Sequence, residues 1–353
     1  MAYTTIDDPS AHLQTVLYTG NGSSQSITFG GNSDLQPDML WTKNRNDTFD
    51  PIIRDTSRGI SERLLVHATD GAGGATGTTA MNSDGFSLDS TNTVNSNSNT
   101  FVAWGWKANG GTTTTNDASA TSVGTIDSVY QANTTAGFSI LTYTGTGSAG
   151  TVAHGLGAAP KVIITKRRDD TEDWVVYHQG QGNDRISRLN TADAAADLVQ
   201  SGAWNDTSPT STVFSLGNGS ATNGSGRTIV AYCFAEKQGY SKFGSYTGNG
   251  NANGPFVYTG FKPAYILGKN ITNDGNHWFI NDHKRGVNGG ANWLKADSNA
   301  AELTNLTNPD ILSNGFKIRN SDAIYNTNGS SYIYMAFAEN PFVTSKGAAV
   351  TAK

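Results

Sequence analysis

Side chains capable of chemistry are few in this chain, and their spacing assembles no reactive set. The six histidines are His12, His67, His154, His178, His277 and His283, and none forms an HExxH or other i, i+4 zinc pair. His277 and His283 flank a strand-like run in a loop-rich stretch and read as turn polarity. The single cysteine, Cys233, excludes an internal disulfide framework and a multi-cysteine metal site. Glutamate occurs five times, whereas glycoside hydrolysis needs two carboxylates at a set separation. Gly71-Ala72-Gly73-Gly74 and Gly145-Thr146-Gly147 lack the Lys-Ser/Thr and helix that complete a phosphate loop. GxSxG and DxDxDG motifs are absent. The reading is therefore no catalytic residue, no metal and no cofactor, with ligand-binding residues left unassigned.

Two acidic-basic turns recur, Asp55-Thr56-Ser57-Arg58-Gly59 and Asp282-His283-Lys284-Arg285-Gly286, with His178-Gln179-Gly180 at the corresponding place between them. Either Arg58 and Arg285 contact a partner or glycan, or each closes an Asp-capped turn within its own domain. The second reading is favoured, because an Asp carboxylate readily caps a turn by accepting from the backbone N–H groups that follow it.

The elements that would position these groups are strands. Gly, Asn, Ser and Thr make up 150 of the 353 residues, and all four favour turns over helix interiors. A polar chain of this kind would be disordered without large apolar side chains. Here 7 Trp, 13 Tyr and 14 Phe supply an aromatic core.

An internal repeat organises them. Tyr-Thr-Gly-x-Gly opens three segments, at Tyr18, Tyr143 and Tyr246. A proline-led run ending in lysine follows: Pro37 to Lys43, Pro160 to Lys166 and Pro263 to Lys269. Trp174 and Trp278 lead a second run in the later two segments, where the first has Pro51. Phe86, Phe214 and Phe316 come next, and each segment closes on an aromatic strand, Phe101–Trp106, Ile229–Phe234 or Tyr332–Phe337. The tyrosine-to-proline spacings are 19, 17 and 17 residues, too regular for low complexity alone.

Glycine after the tyrosine supplies positive φ in a turn, and proline is tolerated at a strand's first residue. The runs at 39–41, 162–164 and 265–267 are apolar without alternation, as in strands covered on both faces. On the closing strands, Val102-Trp104-Trp106, Val230-Tyr232-Phe234 and Ile333-Met335-Phe337 form the core row. Cys233 lies on the opposite row, matched by Gly105 and Ala336, so small volume is what that position requires. The expected fold class is all-β: three tandem antiparallel β-sandwich, jelly-roll-like domains.

The boundaries expected are an N-terminal arm (1–11), repeat 1 (12–107), a linker or extended arm (108–135), repeat 2 (136–237), repeat 3 (238–342) and a C-terminal tail (343–353). Residues 108–135 read either as a flexible linker or as an ordered arm with one added strand, Ser122 to Tyr130, on a neighbour's edge. The arm is favoured. Repeats 2 and 3 abut and should pack with fixed geometry, whereas both termini are expected to be peripheral.

Net charge is −5 with no basic block, which argues against nucleic acid and anionic membrane surfaces. No apolar run approaches the ~20 residues of a membrane span. The N-terminal residues lack a basic start and an apolar stretch, so no secretory signal is expected.

The combination Tyr18 to Gly22, Pro37 to Lys43, Asp55 to Gly59, Ser83 to Phe86 and Phe101 to Lys107, with the ending Tyr332 to Phe342, resembles a family of bacteriophage virion proteins. Members are frequent in marine tailed phages and are usually labelled tail-fibre or structural proteins. The resemblance implies concanavalin A-like jelly-roll domains and a virion component made in the host cytoplasm, and it transfers no site residue. The expected function is that of a non-enzymatic tail fibre or surface appendage serving host attachment. A capsid-decorating or head-fibre protein and a glycan-degrading depolymerase are the alternatives. Expected partners are further copies of the chain (a homotrimer by analogy), other virion proteins and a host-surface glycan or protein.

Overall fold

Glycine-punctuated apolar runs fold as strands, and the helical pieces are single turns of three or four residues. The structure, a computed structural model, describes residues 2–197, 202–286, 288, 291–306 and 309–350. Three large sheets dominate it, and every strand pairing within them is antiparallel.

One strand order runs through all three. In the first sheet the opening strand Leu13–Thr19 pairs with the closing strand Thr100–Trp106. The closing strand then pairs with the lysine-bearing strand Met39–Asn44, which pairs with Ile52–Asp55. The second sheet places Phe138–Thr144, Thr228–Phe234, Val162–Arg167 and Trp174–His178 in that order. The third places Ser241–Thr247, Ser331–Pro341, Phe261–Asn270 and Phe279–Asp282 likewise.

A small sheet faces each large one. Gln25–Ile27, Phe86–Leu88 and Thr78–Met81 cover the first; Gly150–Ala153 and Val213–Leu216 cover the second; Phe256–Tyr258, Gly315–Lys317 and Asp310–Leu312 cover the third. Each pair encloses its own apolar core, built around Phe86 and Phe101, Trp204 and Phe214, or Phe316 and Tyr334. Cys233 is fully buried in the second of these cores, together with Phe214 and Trp204.

The opposite faces of the three large sheets meet in one further core. Trp104, Trp106, Tyr232, Phe234, Met335 and Phe337 all belong to it, with Trp41, Trp174 and Trp278. Phe337 contacts the rings of Trp106, Phe234, Phe243 and Tyr265, with centroids 5.5–6.2 Å apart. Both rows of each closing strand are thus core. The sequence reading assigned only the larger row to it, because side-chain size separates the two rows and burial does not.

The other departures concern the connecting pieces. Residues 108–135 form Thr114–Asn116, a helical turn and Ser128–Asn133, which extend the second sheet beyond Phe138–Thr144. The added strand therefore starts at Ser128, not Ser122, and it pairs on the edge strand of the neighbouring repeat 2. The N-terminal arm is not peripheral: Ile6 is buried in the shared core, and the Thr4 hydroxyl donates to Gln238 O at 2.8 Å. In the C-terminal tail, Ser345 Oγ donates to Asp7 Oδ2 at 2.5 Å.

Candidate functional site

The recurring residues explain themselves as turn, cap and seam. In Tyr-Thr-Gly-x-Gly the tyrosine hydroxyl donates to a carbonyl of the helical turn before the closing strand: Tyr18 to Val94 O, Tyr143 to Thr222 O and Tyr246 to Tyr325 O, at 2.7–2.9 Å. A Cβ on the first glycine would stand 2.1–2.4 Å from a backbone oxygen of that turn. The second glycine has φ of +66° to +72°. These glycines are needed for close approach and for left-handed backbone respectively.

Asn95, Asn223 and Asn326, all fully buried, lock the same turns. Each carboxamide oxygen accepts from the residue between the glycines, Asn21, Thr146 or Asn249, at 2.7–3.0 Å. Each amide nitrogen donates to carbonyls on both sides, such as Ser148 O and Gly217 O for Asn223. The sequence reading missed this asparagine. Its signal was a constant five-residue spacing to Thr100, Thr228 and Ser331.

The lysine that ends each proline-led run is buried at a seam between segments. Lys43 Nζ donates to Asn44 O, Phe49 O and, in the third segment, Asn299 O, each at 2.9 Å. Lys166 Nζ donates to Arg167 O and Glu172 O and reaches Thr69 O of the first segment at 2.9 Å. Lys269 Nζ donates to Asn276 O and reaches Thr191 O of the second at 3.4 Å. Burial pushes all three ammonium groups down to about 8, against the opposing pull of nearby carboxylates.

Backbone bonds cross the seams in the same cyclic order. Arg45 O accepts from Glu302 N, Arg168 O from Ala72 N and Ile271 O from Ala195 N, at 2.7–3.1 Å. Arg45 pairs with Glu302, and Arg168 with Glu62, each at 2.8 Å across a seam. The third seam has the apolar Ile271 in place of the arginine.

Arg58 and Arg285 lie inside this framework. Each Nε meets its own Asp55 or Asp282 at 2.6 Å, and both side chains are fully buried. The same carboxylates accept from the neighbouring segment: Asp282 from Trp104 Nε1 at 3.0 Å and Asp55 from the Tyr232 hydroxyl at 2.6 Å. Arg285 also lies over the Trp104 ring, 5.5 Å from its centroid. On the third seam the donor position is Met335, which cannot donate, and the acid position is His178. His178 Nε2 instead faces Tyr334 O at 3.0 Å. Loss of the donor and loss of the acid occur together, so no carboxylate is stranded.

Of the remaining histidines, His277 Nδ1 meets Asp297 at 2.9 Å, His67 lies 3.4 Å from Asp50, and His12 packs edge-on against Tyr240. Of the two glutamates at the ends of closing strands, Glu236 meets Lys161 and Lys242 at 3.4 Å, and Glu339 meets Lys262 at 2.8 Å.

Among the described residues several clefts reach solvent beyond this framework, and two of them carry both acidic and basic side chains. One, of about 410 Å³, is lined by Glu172, Asp173 and Arg188. Asp173 pairs with Arg188 at 2.8 Å, and Glu172 accepts from Ser220 Oγ at 3.0 Å. The other, of about 230 Å³, opens between the first and third segments and is lined by Thr15, Phe29, His283, Lys284 and Glu339. Thr15 Oγ1 and His283 Nδ1 make no hydrogen bond there. Burial lowers the His283 pKa below its ordinary value, against the pull of Glu339. The positions matching Thr15 on the other opening strands hold Ile140 and Phe243, which fill the shared core.

Residues 8–341 match a family described as a domain of unknown function, DUF7483. The chain belongs to that family. No curated protein and no solved structure matches the chain. The family's match runs across all three segments and their seams, so the interlocked body, and not one sandwich, corresponds to the family's domain.

Proposed function

We propose that this DUF7483 chain is a structural component of a tailed-phage virion, displayed on the particle and serving attachment without catalysis. In this reading the three segments are copies of one concanavalin A-like jelly-roll unit. One observation carries the proposal: the residues that recur in all three segments are spent on turns and seams. The shared lysines, asparagines and glycines hold backbone in place and present no reactive group to solvent. A body built this way suits display of binding loops on a rigid frame. The motif combination resembling phage virion proteins supplies the location.

Further copies of the chain would add avidity, since weak sites on a rigid multimer gain strength when several engage together. The assembly proposed is a homotrimer, expected in mass photometry at three times the 37.2 kDa of one chain. Immunogold labelling and quantitative mass spectrometry of purified particles test the location. Tens of copies clustered at a tail or appendage are expected, and hundreds spread over the head would make it a decoration protein. Absence from particles, or release of reducing ends from host polysaccharide, would overturn the proposal.

A further inference from the structure

The outer face of the third small sheet departs from its two counterparts. Phe256 and Tyr258 flank the buried Val257 on the strand Phe256–Tyr258 and are 46% and 55% exposed. Val257 pairs with Phe316, as Ile27 pairs with Phe86 and Val152 with Phe214. The register therefore matches Phe256 to Ser26 and Thr151, and Tyr258 to Thr28 and Ala153. Twice the scaffold is content with small side chains there. Only the third strand exposes two rings, so folding does not demand them.

The rings are held. Phe256 lies over Gly315, where a Cβ would stand 3.1 Å from the ring, and Gly260 lies beneath the Tyr258 hydroxyl. Tyr3 donates to Gly260 O at 2.5 Å and adds a third aromatic beside them. Residues two apart on a strand share a face and stand about 7 Å apart. Exposed Asn251 and Asn253 lie in the turn that leads into the strand.

We infer that Phe256 and Tyr258 form a stacking platform for consecutive sugar rings of a neutral glycan. The axial C–H faces of pyranoses pack on aromatic rings, and their hydroxyls take hydrogen bonds from neighbouring amides. Two side chains on the outer face of a three-residue strand fall far short of the ~1,000 Å² of a stable protein interface, which favours a glycan over a protein partner. Lys317, the cross-strand partner of Phe256, is held on Gly254 O at 2.8 Å, and the rings themselves are uncharged, so the ligand inferred is a neutral chain. The inference rests on the attachment reading only for the origin of the glycan; binding by purified protein is independent of where the protein sits in a particle.

Affinity electrophoresis of the full chain in gels containing dextran, laminarin, mannan or alginate tests it. The control is the double variant Phe256→Ser and Tyr258→Thr, which installs the residues the first segment carries at these positions. Retardation by at least one neutral polysaccharide is expected, weakened about tenfold or more in the variant. Thermal melting at an unchanged temperature will confirm that the variant is folded. Retardation by alginate alone, or by none of the four, would overturn the inference. Equal retardation of the variant, or self-association that the variant abolishes, would do so too.

Discussion

At the scale of single residues, the seam lysines show how a charged side chain becomes a structural part. An ammonium group has three donors, and Lys43 and Lys166 each place all three on backbone carbonyls, one of them across a seam. Replacing Lys166 by Met keeps the apolar stem and leaves those carbonyls unpaired. The expected cost is about 2–4 kcal/mol, read in urea melts as a lower midpoint at an unchanged m-value. An unaltered midpoint would mean that water replaces the ammonium freely.

The buried histidines set a pH response. His178 Nδ1 accepts from Gly180 N–H at 2.9 Å while Nε2 donates to Tyr334 O, and His154 is held in the same way between Leu156 N–H and Thr210 O. Both geometries fix the neutral ring, and burial pushes each pKa down to about 4 from 6.5. The unfolded chain therefore binds more protons between those values. Their stabilisation is fully present above pH 6.5 and is lost as pH falls toward 4. The melting temperature should drop across that window, and His178→Asn should shrink the drop.

At the scale of elements, the Tyr-Thr-Gly-x-Gly turn ties the end of each opening strand to the approach of the closing strand. Gly145→Ala would drive a Cβ to 2.4 Å from Gly224 O, whereas Gly157, at φ +67°, has open space around it. Gly157→Ala should cost about 1–2 kcal/mol for left-handed backbone alone, and Gly145→Ala distinctly more. Chemical denaturation of the two variants measures the difference. The turn was legible in the sequence because glycine and tyrosine stand out at fixed spacings. Its asparagine was not, since asparagine is abundant throughout this chain and only its constant offset distinguishes it. The seam residues were legible as landmarks but not as seams. Lys43, Lys166 and Lys269 recur visibly, yet contacts with Asn299, Thr69 and Thr191 span 256, 97 and 78 residues, a separation no local pattern encodes. Arg58 and Arg285 illustrate the converse: an Asp three residues earlier was enough to foresee the capped turn.

At the scale of the whole molecule, the larger face of every closing strand is buried against the other segments. One segment excised alone would expose that face, an apolar surface including Tyr232, Phe234 and Trp174 in the second. Stability should therefore belong to the chain as a unit, because apolar burial in the shared core contributes only when all three segments are in place. Differential scanning calorimetry of the intact chain tests this most directly. A single transition whose calorimetric and van't Hoff enthalpies agree is the predicted result. Two or three separable transitions, or a fragment of residues 136–237 that melts cooperatively by itself, would contradict it.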